Sequence, residues 1–192
     1  MTYDVKLLIG ADNAAASNGA TVNRIGPVTG KTESVFAAAT VDDVNAAVEA
    51  AQRAFSSWSK AGPNVRRRIL LKAADAIEAR APEFTAIMMA ETGATTLWGM
   101  GNAKLAAETV REAAAMTTRI LGETIPSDRP GTVSLALRKP VGVMVGIAPW
   151  NAPVILGARA IAMPIACGNT IILKGSEASP MTHRLVVDCF VE

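Results

Sequence analysis

Asn151 follows a continuous apolar run, Val141 to Ala148, and a Pro149-Trp150 pair, and it precedes an apolar segment with helical spacing. An amide N–H in that place is a good donor to a developing oxyanion. Twenty-three residues further on, a second β-branched run ends at Lys174 and is followed by Gly175-Ser176-Glu177. An ammonium and a carboxylate three residues apart are good partners for ribose hydroxyls. If the two runs are adjacent parallel strands, their carboxyl ends lie side by side, where open α/β sheets bind ligands. Asn151 and Lys174 would then flank one cleft. On spacing alone, a helix N-cap at Asn151 and a solvated strand end at Lys174 explain the same residues.

Other motifs carry less. Gly26-Pro27-Val28-Thr29-Gly30-Lys31-Thr32 has three residues between its first glycine and the Gly-Lys pair. A phosphate-binding P-loop needs four, and it must run into a helix, whereas Glu33 to Ala39 reads as a strand. A turn between strands is the better reading, which disfavours a P-loop nucleotidase. Arg66, Arg67 and Arg68 sit in an amphipathic helix with Asp75 and Glu78 and read as a solvated face. Gly99-Met100-Gly101 lacks a third glycine and a preceding strand, so it receives no dinucleotide role. His183, the sole histidine, reads as exposed or internally satisfied, without a partner constellation. Cys167 and Cys189 read as small apolar residues.

The elements that must position these residues can be read from hydrophobic period and turn chemistry. Val5 to Ile9 and Ser34 to Ala38 are strand candidates, with turns at Asp12-Asn13 and Gly26-Pro27. Thr40 and Asp43 form a capping box opening a helix along Val44, Ala47, Val48, Ala51, Ala54 and Phe55. Gly62-Pro63 starts a second helix with Ile69, Leu70, Ala73, Ala76 and Ile77 on one face. Pro82 opens a third, closed by Gly93, and a fourth runs from about Leu105 to Ile120, stopping at Gly122. A polar loop, Ile125 to Gly131, leads to a strand over Thr132 to Leu137. Val141 to Ala148 then predicts a strand buried on both faces. A helix from about Pro153, a turn at Cys167-Gly168-Asn169, a strand over Thr170 to Lys174 and a helix from Ser179-Pro180 to Glu192 complete a βαβ pattern. Two parallel strands do not make a stable sheet, so the chain reads as the front of something longer.

Composition narrows the class. Half of the residues are hydrophobic and 19% are charged, which excludes a disordered or collagen-like chain. Nineteen basic against seventeen acidic residues leave a net charge of +2, giving no reason to expect a nucleic-acid partner. One histidine rules out a histidine-rich metal site, so no metal is expected. Two cysteines outside any CxxC pair do not make a disulfide scaffold. Prolines, Asn151 and Arg159 interrupt the most apolar stretch, so no membrane span or targeting segment is expected and a cytoplasmic location is.

Pro149-Trp150-Asn151, Gly168-Asn169-Thr170 and Lys174-x-Ser176-Glu177, at this spacing, resemble the N-terminal part of the aldehyde dehydrogenase superfamily. The resemblance covers essentially the whole chain, including Gly26-Pro27-x-Thr29-Gly30 and Glu91-Thr92-Gly93. Ala148 to Asn151, Arg159-Ala160-Ile161-Ala162, Lys174 to Glu177 and Thr182-His183 are most similar to the salicylaldehyde and vanillin dehydrogenase branch. The resemblance implies an α/β fold in which N-terminal strands and helices, residues 1–122, lead through an oligomerisation-type segment, 123–140. An incomplete Rossmann-like cofactor domain then occupies 141–192. It implies oxidation of an aromatic aldehyde to the acid through a cysteine thiohemiacetal, with NAD as cofactor, NADP possible, and a homo-oligomer at full length.

Residue by residue, the resemblance makes Asn151 the oxyanion donor and Ile147, Ala148, Pro149 and Trp150 the wall along the nicotinamide side. Lys174, Ser176 and Glu177 become cofactor contacts, with Lys174 and Glu177 on the adenosine ribose. Glu177 should repel a 2′-phosphate, which favours NAD. Arg159 matches a position lining the aldehyde tunnel. Counted from Asn151, Ile155 and Arg159 fall at i+4 and i+8, one helical stripe that puts the guanidinium roughly 12 Å along. Trp98 is the candidate for the opposite wall. Gly175 stands where the family usually has proline, which is expected to loosen the turn. The family's nucleophilic cysteine and general-base glutamate match no residue here and are expected beyond residue 192. A non-catalytic oligomerisation or nucleotide-binding module is the alternative.

Overall fold

The computed structural model describes residues 2–191; Met1 and Glu192, the expected end of the last helix, lie outside them. The N-terminal strand divides at Lys6 because its halves take different partners. β1 (Tyr3–Val5) runs parallel to β5 (Thr32–Ala37), which pairs antiparallel with β4 (Thr21–Ile25). β2 (Leu7–Ile9) forms a two-stranded ribbon with β3 (Asp12–Ala14), the stretch expected as a turn. Between β4 and β5, the Gly26 N–H donates to the Lys31 carbonyl (2.8 Å) and the Gly30 N–H to the Gly26 carbonyl (2.9 Å). The glycine-rich segment is thus a hairpin turn.

The Thr40–Asp43 capping box is formed and starts α1 (Val41–Trp58). The apolar stripe expected on α1 is only partly covered: Val44 and Val48 remain exposed, and Asp43 is its only buried residue. α2 (Pro63–Ala79) and α3 (Ala81–Thr92) follow, with Pro82 in the first turn of α3 and Gly93 left-handed at its end. α4 spans Thr96–Met116. It starts nine residues before the expected Leu105 because the Thr95 hydroxyl caps it, accepting the Trp98 N–H at 3.2 Å. Gly99, outside the helix expected from Leu105, lies where α4 meets α3. A Cβ there would stand 2.8 Å from Thr85 Cα. The helix ends at Met116, four residues early, where the Thr117 hydroxyl donates to the Ala114 carbonyl.

An unexpected strand, β6 (Glu123–Ile125), leads into the polar loop and pairs antiparallel with β7 (Ser134–Ala136). β8 (Val143–Ile147), α5 (Pro153–Ala166), β9 (Thr170–Lys174) and α6 (Pro180–Val191) form the βαβ unit and its following helix. β8 and β9 are parallel, with Val143 opposite Thr170 and Ile147 opposite Lys174. Gly146 faces Ala160 of α5, whereas Val145 and Ile147, pointing the other way, are 62% and 75% exposed. The expectation of a strand buried on both faces is therefore corrected, since an unbroken apolar run does not say which neighbour covers each face.

One apolar cluster joins the helical stretch to the βαβ half. Leu70 and Ile77 of α2, Phe84, Ile87 and Met88 of α3, Val154 of α5, and Leu185 and Val186 of α6 are fully buried. α4 contributes Ala103, Ala106, Ala107 and Ala114, small side chains that let α2, α3 and α5 approach it closely. No described helix is long and apolar enough to cross a membrane.

Candidate active site at the carboxyl ends of β8 and β9

The strand register builds the site. With Ile147 opposite Lys174 and the Ala148 N–H donating to the Lys174 carbonyl (3.1 Å), the two chains leave the sheet side by side. Ala148 turns inward and is 3% exposed, while Pro149, Trp150 and Asn151 are on the surface. The α5 N-cap is Ala152, with no side-chain cap. Asn151 is therefore not a helix cap, and its amide has no hydrogen-bond partner among the described residues. Its backbone carbonyl accepts from the Trp98 indole Nε1–H at 3.1 Å, which joins the first turn of α4 to this loop.

At the neighbouring strand end, Lys174 Nζ lies 3.3 Å from Glu177 Oε2, and both side chains are exposed. A hydrogen bond from the Glu177 backbone, then the Lys174 ammonium, hold the Glu177 carboxyl below its usual range. Ser176 turns inward. Its hydroxyl accepts the Ala178 N–H (3.2 Å), and its own N–H donates to His183 Nδ1 (3.0 Å), so both groups are engaged within the turn.

The stripe expected from Asn151 through Ile155 to Arg159 is not formed. Asn151 precedes the helix, and Ile155 is 9% exposed within the apolar cluster. Arg159 is exposed, without a hydrogen bond or ion pair to a described residue.

Three residues with larger roles than their sequence signals suggested hold this region. His183 is buried at 3% exposure, so the exposed reading is corrected. Burial, and then the nearby Lys174 charge, push its pKa down to about 4, against a pull upward from the Pro153 carbonyl. Glu91, fully buried, accepts from the N–H groups of Met181 (2.8 Å) and Thr182 (3.0 Å) and the hydroxyls of Thr182 (2.8 Å) and Ser34 (2.6 Å). Asn169 Oδ1 accepts the N–H groups of Val141 (2.7 Å) and Gly142 (3.1 Å), pinning the approach to β8. Glu91 and Asn169 lay within the quoted motifs, but nothing in their spacing marked them as buried. Arg66 also departs from expectation: it is half-buried against Gly168, while Arg67 and Arg68 are exposed as read.

No group of three or more described His, Cys, Asp or Glu side chains could hold a metal. Cys167 caps the far end of α5, about 20 Å from the Asn151 end for a helix of this length. Cys189 is buried in α6.

A parallel βαβ unit thus carries an exposed amide and a Lys–Glu pair at its strand ends. The chain belongs to the aldehyde dehydrogenase family, whose model matches residues 14–192. It is similar to vanillin dehydrogenase from Pseudomonas fluorescens, 56% identical over 95% of this chain and 38% of the relative. Among solved structures, a salicylaldehyde dehydrogenase from Pseudomonas putida G7 complexed with salicylaldehyde superposes with a TM-score of 0.96 at 44% identity, over 98% of this chain and 39% of that one. PnpE in complex with nicotinamide adenine dinucleotide gives 0.93 at 33% identity, over 100% and 39%. The chain thus spans about two fifths of the length of the relatives it matches.

Proposed function

We propose that this chain is the N-terminal part of an NAD(P)-dependent aldehyde dehydrogenase that oxidises an aromatic aldehyde to its carboxylic acid. The observation that carries the reading is the pairing of Ile147 with Lys174, which sets the Asn151 loop beside the Lys174–Glu177 pair. The amide of Asn151, unpartnered and exposed, is the donor for the oxyanion that forms when a thiolate adds to the aldehyde. That thiol and the general-base carboxylate come, in this reading, from sequence outside these 192 residues.

The donor set fits a dinucleotide. Lys174 donates to, and Glu177 accepts from, ribose hydroxyls, and exposed Ile147 and Trp150 offer an apolar edge to the nicotinamide side. The dinucleotide, when bound, supplies the hydride acceptor. Glu177 disfavours a 2′-phosphate and so favours NAD. Trp98, tied to Asn151, is the tunnel wall that suits an aromatic ring, and Arg159 is the second candidate for ring recognition. The vanillin and salicylaldehyde relatives support the aromatic class. A homo-oligomer in the cytoplasm completes the reading, and the exposed Leu135 and Leu137 at the β6–β7 ribbon support the oligomer.

The test is Asn151→Ala in the full-length enzyme. Losing one oxyanion donor should lower kcat for a benzaldehyde-type substrate by about 100- to 1000-fold, with the KM for NAD unchanged. An unchanged kcat removes Asn151 from the chemistry and, with it, the site described here.

A further inference from the structure

We infer that His183 is a positioning residue whose imidazole holds the Lys174–Glu177 turn where α6 packs on α5, fixing the ribose-binding pair relative to the Asn151 loop. The inference rests on the functional reading above and assigns a specific device to it.

The ring has two polar partners and one packing contact. Nδ1 accepts the Ser176 N–H at 3.0 Å, and the Ser179 hydroxyl lies 3.4 Å from the same nitrogen. Accepting from an amide N–H requires Nδ1 to be unprotonated, so the proton of the neutral ring is on Nε2. Nε2 is fully buried with no hydrogen-bond partner among the described residues, and the ring edge faces Gly157 of α5. The ring thus links α6, the turn after β9 and α5 at Gly157.

Two glycines make room for it. A Cβ on Gly175 would stand 3.0 Å from His183 Cβ and 3.2 Å from Cγ, and one on Gly157 would stand 3.1 Å from Cδ2. Gly175 does not hold a left-handed backbone, so space is what the position requires. The expectation that Gly175 loosens the turn is reversed: the glycine admits the ring that holds the turn. An apolar side chain of similar volume would fill this space but could not accept the Ser176 N–H, which lies between Lys174 and Glu177 in the chain. The alternative role is core filling alone, and it makes a different forecast for the acceptor-retaining variant.

The experiment uses the full-length enzyme with His183→Ala, His183→Asn, Gly175→Ala and the Gly175→Ala/His183→Ala double variant. Asn offers an amide oxygen near the position of Nδ1. His183→Ala should raise the KM for NAD about five- to tenfold, the effect of one net hydrogen bond, with kcat within about twofold of wild type. Exchange of the Ser176 amide should accelerate by a similar factor. His183→Asn should recover most of both effects. Gly175→Ala should also raise the KM, and the double variant should be less impaired than the sum of the two single effects, because the ring contacts at 3.2 Å are gone while the 3.0 Å Cβ–Cβ contact remains. An unchanged KM for NAD in His183→Ala, or equal effects of Ala and Asn, overturns the positioning role alone. A wild-type enzyme that uses neither NAD nor NADP overturns the functional reading and this role with it.

Discussion

A buried neutral imidazole ties stability to pH through a single side chain. The folded-state pKa of His183 is pushed down to about 4 from 6.5, chiefly by burial. The unfolded chain therefore binds more protons between those values, so the contribution is full above pH 6.5 and is lost as pH falls towards 4. At about 1.4 kcal/mol per pKa unit, the full loss is about 3 kcal/mol, of which about 2 falls between pH 7.5 and 5. Asp43 and Glu177 have lowered carboxyl pKa values, and their contributions fade only as pH drops below about 4.5, outside that window. Urea midpoints at pH 7.5 and 5 should fall more for wild type than for His183→Asn, by about 2 kcal/mol when converted. Parallel slopes would show that the ring does not titrate as its burial implies. At this scale the placement of Asn151, Lys174 and Glu177 at adjacent strand ends was legible because parallel strands and their connection have a spacing. His183 was not, since no residue near it in sequence reveals that Gly157 and Gly175 clear a space for its ring.

Elements were legible where caps and periodicity agree and were lost where backbone pairing alone decides. The Thr40–Asp43 box, Pro82 and Gly93 mark helix ends by local chemistry, and the β8–α5–β9 order follows from β-branched runs. β4 and β6 carry polar, largely exposed residues with no period, so only a partner strand defines them. The start of α4 was hidden because its glycines signal a loop locally but serve a helix crossing with α3. The placement of α6 depends on a residue from another helix. Glu91 of α3 accepts two N–H groups at the first turn of α6, where a carboxylate also meets the positive end of the helix dipole. Its own carbonyl accepts the Arg24 guanidinium of β4. Glu91→Ala strands those buried donors and should cost about 3 kcal/mol or more, whereas Glu91→Gln, keeping one acceptor oxygen, should cost less. Urea unfolding of both variants checks the order; an Ala variant within about 1 kcal/mol of wild type would mean that water replaces the carboxylate.

Across the whole molecule, the apolar cluster runs without interruption from α2 to α6, so the helices and the βαβ unit support one another as a single packed body. The change in sequence character near Gly122 marks a change of element type and does not interrupt that cluster. The same architecture bears on what these residues do when assayed by themselves. Thiolate attack on a carbonyl needs the sulfur about 3 to 3.5 Å from the carbon. α5 separates the Cys167 thiol from Asn151 by its full length, about 20 Å, and Cys189 is 3% exposed in α6. Neither thiol can reach an aldehyde held by the Asn151 amide without unpacking the helix that carries or covers it. The 192 residues alone should therefore give no steady-state NADH signal with an aromatic aldehyde, even if NAD occupies the Lys174–Glu177 pair. A sustained signal abolished by Cys167→Ala would show that the reacting carbon sits at the other end of α5, and the oxyanion role would have to move there with it.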